Sequence, residues 1–282
     1  YENDGGAGVV AGGDIAWNAW HWTGATNNDF NNATNWYPLV TGPPGNGETA
    51  IVSTDNINVC EINVDVSVGS LIILSGGVVT CSGLNVNLDI PDGGFYIEGA
   101  NGDAPGRFYG DSTGGSFLTV DGKWENYGTC YFITAANVDD DLVNGGDFRC
   151  TSSSTTAFVG DGSVSNLAGG TLRCTNIGTW TFQGNFSNAG DFYAGRSRFI
   201  FNGTSQTITT GGDAFHTLEL FSQNSAPLTV TVYGDLPITG AISFDNSGTG
   251  TALNTLKLLG NLTFTGAGIL DLDFAGGSDG VI

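Results

Sequence analysis

The sequence predicts an all-β chain folded as a parallel β-solenoid, and three observations support this fold class. Helix-forming stretches are almost absent, because 46 glycines in 282 residues interrupt most windows that could carry a 3.6-residue period. Short runs such as 57–64, 84–88 and 228–232 alternate apolar and polar residues, as half-buried strands do. A short glycine-bounded motif also recurs at regular intervals along most of the chain.

The recurring motif sets the length of the predicted coil. Each copy contains a glycine or another small or polar residue, a polar residue, a large apolar residue, about three further residues and a glycine, and copies begin at residues 122, 140, 162, 184, 234 and 260. The intervals are 18 to 26 residues, apart from one of 50 that corresponds to about two units. A unit this short cannot bury its own apolar face, so neighbouring units must stack in register.

Stacking predicts two ladders of equivalent residues. The large apolar residue of each unit should point inward above the one before it, at the strand spacing of ~4.8 Å, which gives a ladder of Trp124, Leu142, Val164, Phe186, Leu236 and Leu262. Asparagine suits a turn, because it tolerates left-handed backbone and bonds its own backbone locally. We therefore expect a second ladder at the turns, formed by Asn126, Asn144, Asn166 and Asn188.

The five cysteines contain no Cys-x-x-Cys pair, and with only two histidines in the chain they do not predict a zinc cluster. Cys150 and Cys174 each lie four residues after a repeat glycine and could therefore stack on adjacent coils. Cys60 and Cys81 are 21 residues apart, which is one coil. Each pair could form either a ladder of buried thiols or a disulfide.

The first part of the chain differs from the repeats. Four of the six tryptophans (Trp17, Trp20, Trp22 and Trp36) lie there among asparagine-rich stretches. Because the end of a solenoid is an open sheet edge that must be covered, we expect residues 1–48 to form a capping segment and residues 49–282 to form the solenoid. The segment 276–282 shows no comparable cap, so either further chain or another subunit is expected to cover that edge.

Two stretches resemble a known group of proteins. The block from 22 to 50 begins with Trp-Thr-Gly-Ala and ends with Pro-Pro-Gly-Asn-Gly-Glu-Thr-Ala, and it is similar to the opening block of bacterial cell-surface β-helix proteins. These include autotransporter-type passenger domains and adhesins exported by type IX secretion. The segments 201–208 and 215–220 are similar to a phrase of their repeats. The resemblance implies a right-handed parallel β-helix in an extracellular adhesive or structural protein. The edge at the C-terminal end could also join copies end to end into a filament.

Charge narrows the range of partners. The chain carries 28 acidic and 7 basic residues, a net charge of -21, which excludes a basic surface for nucleic acid. No run approaches the ~18 apolar residues that a membrane span requires, so membrane insertion is not expected.

Low lysine content, abundant asparagine and threonine, and four acceptor-type glycosylation sequons fit a secreted, cell-surface location.

Aspartate outnumbers glutamate by 22 to 6, and the densest run is Asp139, Asp140 and Asp141. Short carboxylates at turns, together with backbone carbonyls, could supply the six to eight oxygen ligands of calcium. These three residues are therefore the candidate metal site, and no other cofactor is expected. The alternative is that the acidic residues simply keep a stacked solenoid soluble.

Polysaccharide binding or degradation is the alternative function. Trp17, Trp20, Trp22 and Trp36 could form a platform on which sugars stack, or they could be the hydrophobic plug of the cap. Arg149 and Arg173 precede the two matched cysteines by one residue, so they would lie on one outward face, with Arg196 and Arg198 nearby. This face could be a basic site for an acidic sugar, or it could be a solvated ladder. The chain has only two histidines to serve as a general base and no catalytic residues are assigned, so we do not expect an enzyme.

Overall fold

The computed structural model describes residues 19–38, 42–54, 58–83, 85–91, 93–110, 117–133, 135–151, 157–174, 177–222, 227–245, 254–265 and 269–271. Within these ranges the chain forms β-strands, a single turn of 3-10 helix at Ala33–Asn35 and no α-helix, which confirms the all-β prediction. None of the described residues belongs to a helix long and apolar enough to cross a membrane.

The strands are short, mostly of three to five residues, and most alternate buried and outward side chains. The first ten are β1 (Ala19–Trp22), β2 (Trp36–Tyr37), β3 (Thr49–Val52), β4 (Cys60–Ile62), β5 (Val66–Ser67), β6 (Ser70–Ile73), β7 (Val78–Cys81), β8 (Leu88–Ile90), β9 (Phe95–Ile97) and β10 (Arg107–Gly110). The next eleven are β11 (Phe117–Val120), β12 (Trp124–Asn126), β13 (Thr129–Phe132), β14 (Ala135–Val138), β15 (Leu142–Asn144), β16 (Asp147–Cys150), β17 (Phe158–Gly160), β18 (Val164–Asn166), β19 (Thr171–Cys174), β20 (Thr179–Phe182) and β21 (Phe186–Asn188). The last ten are β22 (Asp191–Tyr193), β23 (Arg198–Phe201), β24 (Ser205–Thr209), β25 (Thr217–Phe221), β26 (Thr229–Tyr233), β27 (Leu236–Ile238), β28 (Ala241–Asp245), β29 (Thr255–Leu258), β30 (Leu262–Phe264) and β31 (Ile269–Asp271).

From β3 to β23, each coil contributes one strand to each of three sheets, so hydrogen-bonded neighbours come from successive coils. Sheet 1 has twelve strands in the order β2-β1-β3-β6-β9-β12-β15-β18-β21-β24-β26-β29. Sheet 2 has seven strands, from β4 to β22, and sheet 3 has ten, from β5 to β31. All pairings between named strands are parallel except that of β1 with β2. The chain is therefore a parallel β-solenoid, as the repeat predicts.

The register of sheet 1 shows how the length of the coil varies after β3. We count the residues from a position in sheet 1 to its register partner in the next coil. This interval is shortest from Trp124 to Leu142 and longest from Phe95 to Trp124. The three steps that follow Leu142, as far as Ile208, are equal to one another. The interval predicted from the motif thus describes most coils, and the coil from Phe95 to Trp124 exceeds it.

The interior is packed with aromatic rings from all three sheets. Trp124 stacks on Phe95 with ring centroids 5.1 Å apart and meets Phe148 edge-on at 5.0 Å. Further along the axis, Phe158 stacks on Trp180 at 4.8 Å. Each such pair contributes about 0.5–1.5 kcal/mol beyond the burial of its area. The core is therefore one continuous column rather than a set of separate clusters.

The predicted apolar ladder is correct for its first four members and wrong for the last two. Phe186 pairs with Ile208 instead of Leu236. Leu236 pairs with Leu262 in a separate two-stranded sheet, β27–β30. These strands follow sheet 1 strands and precede sheet 3 strands, so they occupy the place that sheet 2 has in earlier coils. The same motif recurs at a different corner of the coil, and its sequence does not distinguish the two corners.

The described part of the capping segment covers the first coil. β1 pairs in parallel with β3 and carries β2 on its outer edge as an antiparallel partner. A second contact covers the start of sheet 2, where the Phe30 amide donates to Glu61 O at 2.9 Å and the Glu61 amide donates to Asn28 O at 2.7 Å. The N-terminal edges of two of the three sheets are therefore covered.

Candidate functional site

The cap tryptophans lie in the protein core. Trp36 is fully buried and packs edge-on against Trp22 at 5.1 Å and Phe30 at 4.9 Å. Trp20 is also buried, and the Trp36 indole N–H donates to Phe30 O at 2.7 Å. Rings enclosed in this way have no face left for a sugar, so the three form the plug of the cap rather than a binding platform. Trp17 lies outside the described residues.

Asp139, Asp140 and Asp141 lie in the turn between sheet 3 and sheet 1, and their oxygens accept local hydrogen bonds. Asp140 Oδ1 accepts from the Asp141 amide at 2.8 Å, and Asp139 Oδ1 accepts from Asn137 Nδ2 at 2.8 Å. Asp141 Oδ1 accepts from the Ser163 amide of the next coil at 2.7 Å. In the part of the chain that the structure describes, no three His, Cys, Asp or Glu side chains are grouped to hold a metal ion.

Aspartates at other corners make the same coil-to-coil contact. Asp65 Oδ1 accepts from the Asn87 amide at 2.8 Å, and Asp235 Oδ1 accepts from the Asn261 amide at 2.9 Å. Each satisfies a turn N–H that no strand partner reaches. These aspartates therefore have a structural role at the corners of the coil.

All five cysteines are buried, and every one belongs to a strand of sheet 2 with its side chain inward. No disulfide joins any two of the five, all of which lie within the described ranges. Cys150 pairs in register with Cys174, as expected, whereas Cys60 pairs with Val79. The spacing of Cys60 and Cys81 by one coil therefore does not place these two thiols in register.

Burial also makes the thiols unreactive. It raises the pKa of the Cys60, Cys130 and Cys174 thiols well above the usual range, and raises the pKa of Cys81 to about 11. Because the thiolate is the nucleophile, these four cysteines are structural core residues at neutral pH.

The four predicted asparagines do form a ladder, but for a different physical reason. They lie at the ends of sheet 1 strands with side chains buried inside the coil, and none has a positive φ. Nδ2 of Asn126, Asn144 and Asn166 donates in turn to Oδ1 of the next asparagine, each at 2.7 Å. Nδ2 of Asn188 ends the series by donating to Thr210 O at 2.8 Å. A primary amide both donates and accepts, so it can repeat along the axis without leaving unpaired groups.

The outward face of sheet 2 carries the most distinctive surface of the described residues. The pairing of β10, β13, β16, β19 and β22 aligns five side chains in one column, which we call the Tyr/Arg column: Tyr109, Tyr131, Arg149, Arg173 and Tyr193. In the neighbouring column, Arg107 aligns with Thr129, Asp147, Thr171 and Asp191. The prediction that Arg149 and Arg173 share an outward face is confirmed by their register.

Asp147 organises the arginines of this face. Arg149 Nη2 lies 2.5 Å from Asp147 Oδ2, and Arg173 Nε lies 3.9 Å from Asp147 Oδ1. The hydrogen bond to Asp147 raises the pKa of Arg149. The Arg173 guanidinium also lies over the ring of Tyr193, 4.7 Å from its centroid, where a cation–π contact fixes its orientation.

Sequence reasoning found the two arginines through the matched cysteines and missed the tyrosines. Along the chain, the number of residues between successive members of the column from Tyr109 to Tyr193 differs at every interval, because the coils differ in length. A fixed period cannot align such positions. The signal that could have found the tyrosines was the alternation of inward and outward residues along each strand. Each tyrosine lies next to an inward aromatic residue or cysteine, so it must point outward.

Comparisons with known proteins add no relative to this description. No protein-family model matches the chain, and no match was found among curated proteins or among solved structures.

Proposed function

We propose that the protein is an extracellular structural or adhesive surface protein with no catalytic role. The observation that carries this proposal is the in-register stacking of parallel strands from β3 to β29 in sheet 1. A chain built in this way is elongated, and each coil adds one strand spacing of length. Length and a regular surface are the properties that an adhesive or structural module requires.

The outer surface fits an extracellular setting. Outward positions of sheet 1 carry hydroxyl side chains in register, such as Ser165 and Ser187, whose Oγ atoms lie 3.1 Å apart, and Thr207 and Thr231. The net charge of -21 keeps neighbouring solenoids apart in solution. The small hydroxyl side chains at these positions expose little apolar surface.

The two ends of the solenoid differ, and this bears on self-assembly. The cap covers the first strands of sheets 1 and 2, whereas within the described residues no strand pairs beyond β29, β30 or β31. Leu256, Leu262 and Phe264 near that end are only partly buried, while Val230 and Leu236 one coil earlier are fully buried. We propose that this edge is where further chain or a second copy continues the solenoid.

Negative-stain electron microscopy of the purified chain tests the proposal. A stack of this many strands should give rods about 50 Å long, or filaments where copies join at the β29–β31 edge. Images in calcium and in chelator test whether a divalent cation controls joining. Compact particles without a long axis would contradict the elongated solenoid.

A second candidate function is polysaccharide binding, and the Tyr/Arg column favours it. Arginine and tyrosine side chains on a flat parallel sheet offer charged forks and aromatic faces at regular intervals. A glycan-array screen of the intact chain separates this candidate from a purely structural role.

A further inference from the structure

We infer that the outward face of sheet 2 binds an extended anionic polysaccharide that runs along the solenoid axis across the Tyr/Arg column. The inference deepens the second candidate function and depends on it. It does not depend on filament formation or on how the solenoid ends are completed.

The geometry of the face suits a linear, repetitive ligand. The column from Tyr109 to Tyr193 crosses five consecutive strands, one side chain per strand. Parallel strands lie ~4.8 Å apart, so the column presents one functional group at each step of that length. A polymer of similar repeating units can meet successive rungs with successive units, whereas a compact ligand would use only one or two.

From β10 to β22, the charge on this face has the opposite sign from the rest of the chain. Three of the five arginines (Arg107, Arg149 and Arg173) point outward from sheet 2, where Asp147 and Asp191 are the acidic residues among the paired positions from β10 to β22. The remaining chain has four basic residues and 26 acidic ones. A negatively charged polymer is therefore repelled elsewhere and attracted here, which fixes where it docks.

The arginines of this face are only partly engaged within the protein. Arg107 takes part in no ion pair among the described residues, and the nearest ion-pair contact of Arg173, to Asp147, is 3.9 Å long, while 38% of the Arg173 side chain is exposed. Nε of both residues is buried, so the terminal nitrogens of the guanidinium are the groups that would meet a ligand. A guanidinium held over Tyr193 in this way presents a preoriented fork, which matches a planar carboxylate or a sulfate.

Polysaccharide fits this surface better than nucleic acid. Nucleic acid carries one charge per ~1.7 Å of duplex axis and needs many cations to bind, but this column offers two adjacent arginines with tyrosines on both sides. Carboxylated or sulfated sugars carry about one charge per unit and expose C–H faces that pack against aromatic rings. The column likewise combines charged and aromatic side chains on one surface.

The test measures binding of four polymers to the intact chain by isothermal titration calorimetry. The probes are polygalacturonate, dextran sulfate, neutral dextran and single-stranded DNA. We expect binding to polygalacturonate, to dextran sulfate or to both, and the stronger of the two identifies the anionic group. We expect Arg173→Gln to weaken binding about tenfold or more, the loss of one charge-assisted hydrogen bond.

Lys257→Gln is the matched control, because it removes the same charge from an exposed site on sheet 1. It should change affinity by less than about twofold. Unchanged melting temperatures of both variants show that the solenoid is intact. Three outcomes would overturn the inference. DNA could bind as tightly as the anionic polysaccharides, or Lys257→Gln could weaken polysaccharide binding as much as Arg173→Gln does. The third outcome is that neither anionic polysaccharide binds. Rods in the electron microscope with no glycan binding would overturn this inference alone and leave the structural role standing.

Discussion

At the scale of single residues, the buried asparagines show how a repeat makes a costly group stable. A primary amide inside an apolar core costs about 1–3 kcal/mol for each group left without a partner. Here each amide is completed by its equivalent on the next coil, as in the 2.7 Å contact from Asn144 to Asn166. The ladder begins at Asn126, whose register partner on the preceding coil is Ile97 and whose Oδ1 has no partner among the described residues.

Replacing a central member should therefore affect its neighbours as well. Asn144→Ala removes the acceptor of Asn126 Nδ2 and the donor to Asn166 Oδ1, so we expect the free energy of unfolding to fall by about 2–4 kcal/mol. Chemical denaturation followed by circular dichroism measures this loss. Asn137→Ala, on an outward position, should cost less than about 0.5 kcal/mol. Equal effects of the two substitutions would mean that the amide ladder contributes nothing.

At the scale of elements, close stacking of corners decides where glycine is required. A Cβ built on Gly146 would lie 2.1 Å from Gly128 O of the preceding coil, and one built on Gly190 would lie 2.2 Å from Gly170 O. No side chain fits at such distances. Successive turns between sheet 1 and sheet 2 therefore pack backbone against backbone.

Gly146→Ala should destabilise the solenoid, because the neighbouring backbone would have to move. We expect a loss of about 1–3 kcal/mol in the free energy of unfolding, as for overpacked cores. The matched control is Gly42→Ala, since a Cβ there meets nothing within 4 Å. A melting temperature of Gly146→Ala equal to that of the control would contradict this corner geometry.

The elements also show how far the sequence determines the fold. Alternation and glycine spacing predicted β12, β15, β18 and β21 in register, because each copy of the motif places its large apolar residue at the same position of its coil. Leu236 was misassigned, since a glycine-bounded strand looks the same at either corner. The long coil from Phe95 to Trp124 was missed because extra residues at a corner leave the ladder unchanged. Ring burial in the cap depends on contacts between distant segments, so the sequence could not distinguish a plug from a platform.

At the scale of the whole molecule, the cap covers the first strands of sheets 1 and 2. β2 lies outside β1, and its exposed Tyr37 contrasts with the fully buried Trp36 beside it. An uncovered parallel edge pairs readily with another chain. Because the cap covers the first strands of sheets 1 and 2, we propose that any joining of copies takes place at the opposite end.

Loosening the cap should make the protein self-associate. Trp36→Ala removes the ring that packs against Trp22 and Phe30, a truncation that costs about 3–5 kcal/mol in a packed core. We expect sedimentation velocity to show new oligomers that increase with concentration. Tyr37→Ala, on the exposed side of the same strand, should sediment like the unmodified chain. A Trp36→Ala protein that sediments identically would show that the cap does not protect the edge.

The position of the cysteines has a further consequence for how opening of the solenoid can be observed. The five thiols lie on rungs from β4 to β19 and are all enclosed, so each becomes available to an alkylating reagent only when its own rung opens. The order in which they are modified would show from which end the coil unwinds. The native sequence thus contains its own set of position-specific probes of local unfolding, without any introduced label.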